Sequence, residues 1–93
     1  MDLTVNTKQY TFSASSGFDY IFIYLMNNMK KSANSNGINN LWYLTKKEVK
    51  TLIKYLEENT PDNYKDRQNW IVDRLINLEM LMEGKEKAEF HFW

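Results

Sequence analysis

The 93-residue chain contains no cysteine. That single absence excludes disulfides, thiolate nucleophiles, cysteine-bound zinc and iron–sulfur clusters. Glycine and proline are scarce, at three residues and one. Three scattered glycines cannot build a phosphate-cradling loop or a dinucleotide-binding fingerprint. His91 is the only histidine. A lone imidazole cannot hold zinc without further nitrogen or sulfur ligands, and no nucleophile-elbow motif accompanies it. Charge of one sign is also missing: 12 basic and 12 acidic residues cancel. The balance argues against an acidic mimic of nucleic acid and against a protein that grips phosphates without sequence preference. No apolar run reaches the roughly 18–20 residues of a membrane span. The most apolar stretch, Phe18 to Met29, is broken by Asp19 and Asn27. The first residues lack the basic-then-apolar order of a signal peptide, so the expected location is the cytoplasm of a bacterial host.

What is present is an ordinary hydrophobic share of 43% with a high aromatic share of 15%. A chain of this length has room for one domain, 1–93, that buries roughly 60–70% of its unfolded surface. Lysine outnumbers arginine ten to two, and asparagine is abundant. Lys, Asn, Ile and Tyr have A+T-rich codons, which suggests a low-GC bacterium or its phage as the source.

Residues 1–15 alternate as strand does. Leu3 and Val5 lie on one parity, and Tyr10, Phe12 and Ala14 on the other. A hairpin turning at Asn6-Thr7-Lys8-Gln9 explains the phase change better than a bulge in one long strand. Ser16 and Asp19 resemble a capping box. Phe18, Ile21, Phe22, Leu25 and Met29 follow at helical spacing, and the helix fades at Lys30-Lys31. Residues 32–40 form a long polar loop. After Leu41-Trp42-Tyr43-Leu44, Thr45 and Glu48 make a T-x-x-E capping box, with Leu44 and Val49 as its hydrophobic staple. Val49, Leu52, Ile53 and Leu56 are the inward stripe of a second helix ending near Asn59. Thr60-Pro61 opens a third helix to about Glu83, with Tyr64, Ile71, Leu75, Leu78 and Met82 on one face and Gly84 as its terminator. Ala88, Phe90 and Phe92 alternate with Glu89, His91 and Trp93 as a last strand, whose expected partner is the Tyr10–Ala14 strand. The fold class is α+β: a three-helix cluster on a small antiparallel sheet formed by the N-terminal hairpin and the C-terminal strand, in the order β(β)αααβ.

No catalytic, cofactor-binding or metal constellation emerges. Asp62, Asp66 and Asp73 on the third helix and Glu57-Glu58 on the second read as solvated faces. The expectation is therefore a small non-catalytic protein that binds another protein and inhibits it. Phages and mobile elements carry such accessory proteins against host defences, the anti-CRISPR type among them. Tyr20, Tyr24, Trp42, Tyr43 and Trp93 are the partner-binding candidates, because aromatic residues exceed what the core needs and dominate binding hot spots. Lys46, Lys50 and Lys54, with Lys47 beside them, form a lysine stripe for phosphate or an acidic partner. That stripe carries the alternative, a nucleic-acid-binding regulator. The wide apolar surface of the third helix carries a further alternative, a homo-oligomeric structural protein such as a homodimer.

Overall fold

The computed structural model describes residues 1–15, 17–29, 40–59 and 62–93. Four strands make one antiparallel sheet in the order β2-β1-β4-β3: β1 (Leu3–Asn6), β2 (Thr11–Ala14), β3 (Asn40–Thr45) and β4 (Lys87–Phe92). Three helices, α1 (Asp19–Asn28), α2 (Lys46–Asn59) and α3 (Lys65–Leu81), cover one face of it. A short 3-10 turn, Asp62–Tyr64, leads into α3.

The alternation of the sequence builds the sheet's inner face. Leu3 and Val5 of β1 stand between Ala14 and Phe12 of β2 on one side and Phe92 and Phe90 of β4 on the other. Trp42 and Leu44 of β3 face Phe90 and Ala88 across the next ladder. All of these are buried. Phe22 of α1 meets Trp42 and Phe92 edge-on, with centroids 5.5 and 5.3 Å apart, the offset that aromatic quadrupoles favour. The helical contribution comes from Ile21 and Leu25 of α1, Val49, Leu52 and Leu56 of α2, and Ile71, Leu75 and Leu78 of α3, each fully buried. Every described helix and strand thus joins one core.

α2 and α3 form an antiparallel pair tied near both ends by side chain to carbonyl bonds. Lys46 Nζ donates to the Met82 carbonyl at 2.9 Å, and Gln68 Nε2 donates to the Leu56 carbonyl at 2.8 Å. The start of α2 is the capping box that its sequence spells. Glu48 Oε1 accepts from the Thr45 amide at 2.8 Å, and the Glu48 amide donates to Thr45 Oγ1 at 3.2 Å. Leu44 and Val49, the staple pair, are both buried.

The hairpin turns where its residues suggest, closed by a bond from the Thr7 amide to the Tyr10 carbonyl at 2.9 Å. Several expectations change. β4 does not pair with the Tyr10–Ala14 strand, because β1 intervenes. The short hairpin turn fixes β2 on one edge of β1, and the free edge of β1 takes β4. Leu41–Leu44 belongs to a fourth strand that runs without a break into α2. α3 begins at Lys65, after the 3-10 turn. Gly84 is not its left-handed terminator, since Gly17 is the only described residue with positive φ. The segment after α3 is held instead by Glu86, whose carboxylate accepts from the Glu83 amide at 3.2 Å. The φ of +116° at Gly17 and the Arg67 guanidinium lying where a Cβ would project make a side chain there costly in space and conformation. Ser16, Lys30-Lys31, Thr60-Pro61 and nearly all of the polar loop lie outside the described residues.

Two substitutions test this core. Trp42→Ala removes the largest fully buried side chain and is expected to cost about 3–5 kcal/mol in urea denaturation. Thr45→Ala opens the capping box and is expected to cost about 1 kcal/mol, with the native circular dichroism retained.

Candidate functional site

A sheet covered by helices on one side leaves its other side to solvent unless something else covers it. Here the outward positions run in two cross-strand rows. One is Ser13, Thr4, His91 and Leu41; the other is Thr11, Asn6, Glu89 and Tyr43. None of these eight residues is buried, in contrast to every inward partner described. Among the described residues no helix covers this face, on which Ser13, Thr11, Asn6 and Tyr43 are exposed and Thr4, His91, Leu41 and Glu89 partly so.

Local bonds order it. Trp93 pairs with Asp2 through reciprocal backbone bonds of 2.7 and 2.9 Å, which extend the β1–β4 ladder. Its indole Nε1 donates to Thr4 Oγ1 at 3.0 Å, and Thr4 and Ser13 hydroxyls are 3.4 Å apart. Trp93 is thereby held against the sheet while 61% exposed. Thr11 Oγ1 donates to Asn6 Oδ1 on the neighbouring strand. Tyr43 stands 38% exposed on edge strand β3, toward the opposite end of β4 from Trp93. Between them lie His91, with its Nε2 buried and unbonded, and the partly covered Leu41.

The five aromatic candidates therefore part company. Trp42 is completely buried and Tyr24 is 8% exposed, so both are core residues and not surface anchors. Tyr24 stacks on Tyr55 of α2 with centroids 4.4 Å apart. Tyr20 is half-buried on the helical side beside Phe18. Tyr43 and Trp93 share the open sheet face. Trp70 carries Arg74 over its ring at 4.9 Å, a local cation–π contact on α3.

The lysine stripe is also divided. Glu79 of α3 is a buried acid, and Lys50 and Lys46 approach its Oε1 at 3.4 and 4.0 Å. With Lys46 also bonded to the Met82 carbonyl, two of the four stripe lysines serve the α2–α3 junction. Lys47 and Lys54 are exposed, and neither forms an ion pair among the described residues.

The exposed apolar residues of α3 do not form one stripe. Ile76 and Met80 occupy one flank, Trp70 and Leu81 the other, with Asp73 and Asn77 between them. Among the described residues no three His, Asp or Glu side chains converge as a metal-binding group. No described helix is long and apolar enough to cross a membrane.

No family model, curated protein or solved structure matches this chain. The geometry of the open face therefore carries the functional argument alone. Sequence reading had named Tyr43 and Trp93 but missed their neighbours Leu41, Thr4 and Glu89. The signal was available in Leu41-Trp42-Tyr43-Leu44. A strand whose outward positions are as apolar as its inward ones belongs to a sheet whose second face has something to contact.

The buried tyrosine gives a pH test. Burial, then the neighbouring Tyr55 and then Glu48 push the Tyr24 hydroxyl above its ordinary value of 10.0. The folded state thus favours the neutral phenol, so its contribution is intact below pH 10 and fades as pH climbs from there through the folded-state value. Tyr24→Phe is expected to lose less stability than the wild type between pH 9 and about pH 11 in urea titrations.

Proposed function

We propose that the protein is a non-catalytic binding module that engages another protein through the open face of its sheet. The observation that carries this reading is the pair of ordered, exposed aromatic residues, Tyr43 and Trp93, on a sheet face that no described helix covers. Tyrosine and tryptophan give large contact area at little cost in side-chain entropy, and they recur as hot spots. The indole is already fixed by its bond to Thr4, so less freedom is lost on binding. Inhibition of a host protein by occlusion, in the manner of a phage or mobile-element accessory protein, is the role that small size and absent chemistry fit best.

The face itself is modest. Four strands at about 4.8 Å spacing and four to six residues of about 3.3 Å rise give a footprint of roughly 15 by 20 Å. A stable complex covers about 800 Å² per partner. The rim beyond the strands must therefore contribute to a durable contact. Binding of nucleic acid through the α2 lysines has less support, because Glu79 engages two of the four.

The test is a pull-down from nuclease-treated lysate of a low-GC bacterium, followed by affinity measurement on the captured protein. Tyr43→Ala and Trp93→Ala are each expected to weaken that complex by 10-fold or more while leaving the urea midpoint nearly unchanged. Equal affinity of both variants and the wild type would refute the sheet-face reading.

A further inference from the structure

At the end of the open face that holds Tyr43, the β1–β2 turn and the segment between α3 and β4 come together. Asn6, Thr7, Lys8, Tyr43, Lys85, Glu86, Lys87 and Glu89 line a shallow cleft of about 450 Å³ there. Its charges are not equally available. The Glu86 carboxylate bridges two turns at the surface: it accepts from the Lys8 amide at 2.7 Å and from the Glu83 amide at 3.2 Å. Those backbone donors, the Lys8 amide foremost, hold its pKa below the ordinary carboxylate value, so it stays ionised and bound. Lys8, Lys85 and Lys87 are exposed, and among the described residues none comes within ion-pair distance of an acid, while the Lys8 charge acts on Glu86 from farther away. The cleft thus carries three ammonium groups against two carboxylates.

We propose that this cleft receives an acidic segment of the partner, its carboxylates set among Lys8, Lys85 and Lys87 while the partner's body lies on the sheet. The inference rests on the sheet-face reading and supplies the rim that the small footprint requires. Charge complementarity selects the occupant. Three lysines against Glu86 and Glu89 leave the cleft net positive, which attracts anionic side chains, and the side-chain amide of Asn6 adds a hydrogen-bond donor at the wall. A nucleic-acid strand fits less well. Both arginines, Arg67 and Arg74, lie on α3 and not on this face.

Lysines of this kind act at the rim, so their effect is steep in salt. The probe is an octaglutamate peptide, titrated into the ¹⁵N-labelled protein at about 50 mM and about 300 mM salt. Expected are shifts concentrated on the amides of Lys8, Tyr43, Lys85 and Lys87 at low salt, with at least tenfold weaker binding at high salt. The triple variant Lys8→Glu, Lys85→Glu, Lys87→Glu is expected to lose the shifts. The neutral triple glutamine variant should weaken them, which guards against misfolding as the cause of loss. Absence of shifts at these amides would overturn the proposal. So would tighter binding of an eight-nucleotide oligothymidylate at the same amides. Failure here is separable from failure of the sheet-face reading: a protein partner that needs Tyr43 and Trp93 but binds the charge-reversed variant as well as the wild type overturns the cleft alone.

Discussion

β4 is paired on both sides, and the rest of the molecule depends on that. Its inward residues Ala88, Phe90 and Phe92 join the β1–β2 hairpin to β3 and form the floor on which the helices rest. Without β4 the hairpin would be an isolated two-stranded ribbon, which is marginal in water. α2 and α3 would then lose the floor that Ala88, Phe90 and Phe92 give their core. The pairing of Leu3 with Phe92 joins residues near opposite ends of the chain. Closing so long a loop costs entropy before the contact forms, so sheet completion should come late in folding.

How much of this was legible depends on whether each signal was local. The capping box at Thr45 and Glu48 is a contact three residues long, and it forms as its spelling suggests. The inward stripe of α2 and the alternation of Ala88, Phe90 and Phe92 are also local, and all are buried as read. Pairing order was not legible, because Phe12 and Val5 offer β4 similar faces, and the choice between them lies in the hairpin's geometry. β3 was obscured for a different reason. Leu41 and Tyr43 face outward and are apolar, so the period-two pattern that marks a half-buried strand disappears. Burial of individual aromatics was the least legible, since Trp42 and Tyr43 are adjacent and one is fully buried while the other is exposed.

The functional account follows from the same asymmetry. The helices cover one face, and the chain puts Tyr43 and Trp93 on the other, with His91 and Leu41 between them. The lysines have two uses. Lys46 and Lys50 stabilise the α2–α3 junction through Glu79, whereas Lys8, Lys85 and Lys87 surround a cleft next to Tyr43. A net charge of zero conceals this division, because Glu48 and Glu86 bond backbone amides and Glu79 faces two lysines, while the lysines at the turns are exposed.

The most direct measurement is site-specific photocrosslinking. Benzoylphenylalanine placed at Tyr43 on the open face is compared with the same group at Ile23, an exposed position of α1 on the helical side. Each variant is irradiated with the partner captured from lysate. The account predicts a crosslinked partner from position 43 and little or none from position 23. Efficient crosslinking from 23 and silence from 43 would place the binding surface on the helices and contradict it.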